Sequence, residues 1–150
     1  MYNRQEISLM RKRFWTNFGQ YMRPVAGANG DTTNWLNYKT GIRHIYFRMD
    51  VDTMKASVGI ELGHPDTMMQ QYYFEQLLQL KKLLEEKTKE QWDWESQYRD
   101  EDGNTICRIS KTLTGVNIFS ETDWPGIISF LKPRIIALDE FWLMVKDGFE

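Results

Sequence analysis

The groups in this 150-residue chain best suited to chemistry are acids, bases and a histidine that recur at every second position. His44, Arg48 and Asp50 share one parity in a short run, and Glu61 stands at a matching place in the next. Asp93, Glu95, Arg99 and Arg108 join them if two later runs share the same face. Mixed acids and bases on neighbouring strands bind a metal or a phosphate, or pass protons. The same residue types are also what a solvated sheet face with cross-strand ion pairs presents. The second reading is the expectation.

More specific signatures are missing. The glycine-containing stretch GANGDTTN lacks the Gly-Lys-Ser/Thr ending that cradles phosphate. Neither G-x-G-x-x-G nor G-x-S-x-G occurs. Two histidines and one cysteine, scattered along the chain, make no usual zinc site without several carboxylates. No cofactor and no metal site are therefore expected. His64, just before Pro65, reads as a residue at a helix start, and remains a catalytic candidate only alongside Asp50 and Glu61. Cys107 lies on an apolar-alternating face and reads as a buried, inert thiol.

A single cysteine excludes an internal disulfide and fits a reducing compartment. No glycosylation sequon, no charged-then-apolar leader and no membrane-length apolar run occurs. The expectation is a cytoplasmic protein with no membrane partner.

Charge is unevenly placed. Residues 1–48 hold eight Lys or Arg against two acids, Glu6 and Asp31, whereas the remainder is strongly acidic. Arg4, Arg11, Lys12, Arg13 and Arg23 are the candidates for nucleic-acid contact. No dense basic block is present, so attraction between the two parts within the fold is the expected use.

The elements that must position these groups follow from periodicity. Asn3 and Glu6 open a helix over Arg4–Met22, with Ile7, Met10, Phe14, Phe18 and Tyr21 as its apolar stripe. Strands are predicted at Trp35–Lys39, Arg43–Val51 and Lys55–Leu62. In the second, Ile45, Phe47, Met49 and Val51 face one way; His44, Tyr46, Arg48 and Asp50 face the other. In the third, Ala56, Val58, Ile60 and Leu62 oppose Ser57, Gly59 and Glu61. Pro65 and Asp66 open a helix reaching Lys87, striped by Met69, Tyr73, Leu77, Leu80 and Leu84. Strands Trp92–Arg99 and Thr105–Leu113 flank the turn Asp100–Asn104.

The last helix, Asp123–Asp147, carries heptad spacing through Ile128, Leu131, Ile135, Leu138, Trp142, Val145 and Phe149, and Pro133 should kink or split it. Such a stripe packs on its own sheet or, alternatively, on a second copy in a homodimer. The expectation is one α+β domain over residues 1–150, with three long helices on a five-stranded, mainly antiparallel sheet, in the order α-β-β-β-α-β-β-α.

The order α-β-β-β-α-β is similar to the core of PD-(D/E)XK nucleases. That resemblance implies a divalent metal held by acids at Asp50 and Glu61, with a lysine shortly after. Leu62, Gly63 and His64 follow Glu61, so the lysine is missing. The passages SVGIELGHPD, FEQLLQLKKLLEEK, WDWE and ETDWPGIISFLKPRIIALDEFW resemble a bacterial family catalogued as domain of unknown function 4268. Some of its members look like C-terminal modules attached to nuclease-like domains, whereas this chain is read as standing alone. The resemblance implies a DNA-related or defence-related context and no catalytic residues. The expected role is a non-enzymatic interaction or accessory module, its partner a protein or a nucleic acid. Metal-dependent nuclease is the alternative, and binding of nucleic acid through the basic first helix is another.

Overall fold

Asn3 starts the first helix: its side chain accepts a hydrogen bond from Glu6 N at 2.8 Å. In the computed structural model, which describes residues 2–150, this helix, α1, spans Arg4–Met22. It buries Phe14, Phe18 and Met22. The inward stripe therefore ends on Met22, and the expected Tyr21 is 56% exposed.

The predicted strand Trp35–Lys39 does not form. Residues 23–44 make an irregular segment with one isolated bridge, Ala26 to Thr32. Side chains take the place of a ladder there. The Trp35 indole donates to Val25 O at 2.9 Å, and Asn34 Oδ1 accepts from Asn37 N at 3.2 Å. Such local side-chain bonds offer the backbone an alternative to pairing.

Among the described residues the sheet has four strands, not five: β1 Ile45–Val51, β2 Lys55–Leu62, β3 Asp93–Arg99 and β4 Thr105–Thr114. Their order is β1-β2-β4-β3, antiparallel throughout. Both hairpin turns open on an aspartate. Asp52 Oδ1 accepts from Met54 N and Lys55 N, each at 2.8 Å. Asp100 Oδ1 accepts from Asp102 N at 3.0 Å and Asn104 N at 2.9 Å. Side-chain alternation holds across β1 and β2 as the sequence requires. Ala56, Val58, Ile60 and Leu62 are fully buried, opposite Ser57, Gly59 and Glu61.

The single helix expected over residues 65–87 is two. Asp66 caps the first by accepting from Met68 N at 2.9 Å, so α2 runs Thr67–Gln79. Leu80 then leaves helical geometry at φ −100° and ψ 8°, and α3 runs Lys81–Thr88. The break lets each piece bury its own face, Gln70, Phe74 and Leu77 in α2 and Leu84 in α3.

Helix α4, Trp124–Val145, runs unsplit through Pro133 and ends in a 3-10 turn, Lys146–Phe149. Pro133 and Ser129, whose carbonyl loses its usual donor, both face solvent. Arg134 Nη1 also donates to Phe130 O at 2.9 Å on the same turn. All seven residues of the expected heptad stripe are buried within the chain, so a second copy cannot use them. Among the described residues four α-helices thus replace the three expected, within the same α+β class.

α4 also organises the irregular segment. Asp139, 7% exposed, accepts from Tyr38 Oη and, at 2.7 Å, from Ala28 N. Burial, reinforced by the Asp139 carboxylate, holds the Tyr38 phenol far above its ordinary range. Trp142 Nε1 donates to Thr40 O at 2.7 Å. Asp139→Ala would strand two donors and should cost about 2–4 kcal/mol. Urea denaturation reads the loss, and amide exchange should rise selectively over residues 24–40; an unchanged midpoint and unchanged exchange would refute the anchor.

Gly59 of β2 faces β4 with no room for a side chain, and a Cβ there would come within 2.3 Å of Ile109 O. Gly59→Ala must push two paired strands apart and should destabilise by about 1–3 kcal/mol. A neutral effect on the denaturation midpoint would show that the approach is not constraining.

Candidate functional site

The polar face of the sheet is assembled by register. Glu61 pairs with Tyr46 on one side and Arg108 on the other, and Arg108 pairs in turn with Glu95. One row further along, Arg48, Gly59, Ser110 and Asp93 align. Asp50 and Ser57 align in the next row. The sequence reading therefore placed Arg48, Asp50, Glu61, Asp93, Glu95 and Arg108 on one face correctly.

Arg99 and His44 are the exceptions, His44 because it precedes β1 and takes a left-handed backbone. The β3–β4 register shifts between Glu95 and Tyr98, so Tyr98 pairs with Ile106 and takes the place that strict alternation assigns to its neighbours. An extra residue in one strand turns every later side chain over. Tyr98 was missed for that reason, since nothing local in the sequence marks the bulge.

Glu61 is the centre of the site. Arg48 Nε lies 3.7 Å from one carboxylate oxygen and Arg108 Nε lies 3.8 Å from the other. Each guanidinium also covers a tyrosine: Arg48 lies 4.3 Å from the Tyr46 ring centre and Arg108 4.4 Å from that of Tyr98. Arg108 Nη2 donates to Ser57 Oγ at 3.1 Å. The two arginines differ in access, the Arg108 side chain being 13% exposed and that of Arg48 55%. Stacking and ion pairing thus fix both heads, and only Arg48 presents its head to solvent.

Two clefts open on this triad and share Arg48, Glu61 and Asp100. The first, about 490 Å³, runs toward the start of α2 past Tyr46, His64, Gln70 and Ile106. The second, about 440 Å³, runs past Asp50, Ser57, Tyr98 and Arg108. His64 and Glu61 therefore line one cleft. His44 takes a left-handed backbone, φ 70°, just before β1, and its ring packs edge-on against His64 with centres 4.7 Å apart. His64 Nδ1 accepts from Asp66 N at 2.9 Å.

Asp50 shares the face with Glu61 but stands four residues away along the strands, about 13 Å. Its carboxylate is held by Arg11 Nη1 at 3.0 Å. Among the described residues no three His, Cys, Asp or Glu side chains gather to hold a metal ion. Asp50 and Glu61 are not placed as a pair that would grip one divalent cation.

The basic helix is partly spent inside the fold. Arg11 pairs with Asp50, and Arg13 pairs with Glu121 at 2.8 Å, each joining the basic first part to the acidic remainder. Arg4, Lys12 and Arg23 stay exposed. Cys107 is fully buried, and burial pushes its thiol up to about 11, a value that suits an inert sulfur. Among the described residues no helix is long and apolar enough to cross a membrane.

Burial lifts the Glu61 carboxyl above its ordinary 4.5; Arg108 and Arg48 pull it down, and Asp100 and Asp50 push it up. A carboxyl raised in the folded state favours folding while protonated. That contribution is complete below pH 4.5 and is lost as pH climbs through the raised value. Wild type should accordingly lose a stability increment as pH rises above 4.5 that Glu61→Gln does not lose. Urea denaturation of both across this window tests it, and identical pH profiles would contradict it.

No curated protein and no solved structure matches the chain. A family model does match, over residues 10–146, a span that takes in every strand, α2, α3, α4 and most of α1. The chain belongs to the family described as Domain of unknown function (DUF4268).

Proposed function

We propose that this chain is a non-enzymatic accessory module that docks a partner protein on the polar face of its sheet. The observation that carries the reading is the pair of stacked arginines sharing Glu61, one sealed and one open to solvent. Arginine and tyrosine dominate the energetic centres of protein interfaces, because they offer large contact area and oriented donors at small entropic cost. Here both residue types are already held in place, so little ordering remains to oppose binding. The resemblance to modules attached to nuclease-like domains supports a DNA-related partner, and the single reduced, buried Cys107 is in keeping with the cytoplasm.

The rival readings draw less support. A nuclease of the PD-(D/E)XK kind needs acids converging on one cation, whereas Asp50 is tied to Arg11 and Glu61 to two arginines. Nucleic-acid binding by α1 must rely on Arg4, Lys12 and Arg23, since Arg11 and Arg13 are engaged in ion pairs.

The test is capture from host extract with wild type and a Tyr46→Ala, Arg48→Glu double variant, both shown to melt alike. Wild type should retain a specific protein, and the variant should lose at least ~10-fold of the affinity, the scale of a central interface residue. Equal recovery by both proteins, or none by wild type, would overturn the reading.

A further inference from the structure

The stretch GANGDTTN, which lacks a phosphate-binding ending, is suited to a different chemistry. Asn29 is followed by Gly30, whereas every other asparagine of the chain is followed by Arg, Phe, Trp, Tyr, Thr or Ile. A following side chain hinders the approach of its own backbone nitrogen to the asparagine amide carbon, and glycine has none. Asn29 and Gly30 are both exposed, and a Cβ on Gly30 would meet nothing within 4 Å.

The fold readies one partner of that reaction and occupies the other. Asn29 Oδ1 accepts from Asp31 N at 3.0 Å, which polarises the amide and supports the charge that attack on its carbon would build there. Gly30 N, the attacking atom, donates to Gly27 O at 2.8 Å, so the proton it must lose is engaged. The turn itself is closed by Gly27 N donating to Asp31 O at 2.9 Å, and it is pinned to α4 by Ala28 N donating to Asp139 Oδ2 at 2.7 Å. A Cβ on Gly27 would lie 3.2 Å from Asn29 Oδ1 and 3.6 Å from Asp139 Oδ2, so the two side chains converge on one point.

We propose that Asn29–Gly30 is a site of spontaneous deamidation, restrained by the anchoring of its turn on Asp139. When the turn opens, Gly30 N gives its proton to solvent base and bonds to Asn29 Cγ; the Cγ–Nδ2 bond breaks and ammonia leaves. Water then opens the cyclic imide at either carbonyl, giving aspartate or isoaspartate, and nothing is oxidised or reduced. Either product replaces the Asn29 Nδ2–Asp31 Oδ2 bond, 3.3 Å, with two facing carboxylates. Asp139 lines the same cleft as residue 29, with Lys39 as the cation beside it, so the new charge also opposes the anchor. Isoaspartate further lengthens the backbone within the closed turn. Conversion therefore works against re-anchoring of the segment, whatever binds the sheet face.

Wild type, Asp139→Ala and a synthetic peptide of residues 23–40 are incubated at mildly alkaline pH, and conversion at each asparagine is followed by peptide mass spectrometry. The peptide should convert fastest at Asn29. Asp139→Ala should convert Asn29 at least ~10-fold faster than wild type, because loss of the anchor raises the open population of the turn. Wild type reacting as fast as the peptide, Asp139→Ala reacting no faster than wild type, or another asparagine reacting before Asn29 would overturn the proposal.

If Asp139→Ala does not fold, wild type in urea decides the matter. Its rate at Asn29 should climb at concentrations below the unfolding transition, as local opening requires. A rate that climbs only with global unfolding would refute restraint by the anchored turn. Asn29→Asp, which installs one product directly, should exchange its amides faster over residues 24–40, and exchange equal to wild type would refute the stated consequence.

Discussion

Helix α4 and its buried stripe are the interaction on which the other elements depend. α4 packs against β2, α1 and α3, and it buries eleven of its residues. Burial of each large apolar side chain contributes about 1.5–3 kcal/mol, so no other single element supplies as much. The sheet alone has one face of valine, isoleucine and leucine that cannot meet water. α4 covers the middle of that face, and α2 covers the part nearer β4. The consequence for the opposite face is direct: with α4 and most of α2 on the apolar side, the polar side is left mainly to its own side chains, joined by Arg11 from α1 and Gln70 from α2.

Those side chains solve a local electrostatic problem. Ser57 is 6% exposed and Gly59 is also buried, although both belong to the polar face. The cover comes from arginines whose flat heads lie over tyrosine rings, with a shared carboxylate between them. Arginine tolerates such a position because it is weakly hydrated and planar, and Glu61 offsets part of the charge. The arrangement is held by stacking as much as by ion pairing, and for that reason salt should weaken it less than it weakens the exposed Arg13–Glu121 pair.

Much of this was legible in the chain, and the exceptions share one cause. Alternation in β1 and β2, the aspartate turns, the Asn3 cap and the α4 stripe are local patterns, written within a few residues of where they act. Trp35–Lys39 reads as a strand because it directly precedes β1 across a short turn, yet its two aromatics are claimed by Val25 and by Asp139 far along the chain. The break at Leu80 depends on α4, which α3 must face. The Glu95–Tyr98 bulge depends on what β4 offers across the sheet. For the site, parity alone located Arg48, Glu61 and Arg108; it could not show that Asp50 would be taken by Arg11, or that the bulge would bring Tyr98 beneath Arg108. Long-range partners, rather than weak propensities, separate the two sets.

The reach of Asp139 to Ala28, 111 positions away, and of Trp142 to Thr40, 102 positions away, has a temporal consequence. A ribosome makes residues 23–44 well before α4. The early segment has few backbone bonds of its own, so it cannot settle until α4 has emerged. Its ordering therefore closes the folding reaction instead of starting it, and contacts of such long sequence separation are slow to form. Until then Trp35 and Tyr38 lie open to solvent, and that interval is when the nascent chain is most exposed to proteases and to premature association.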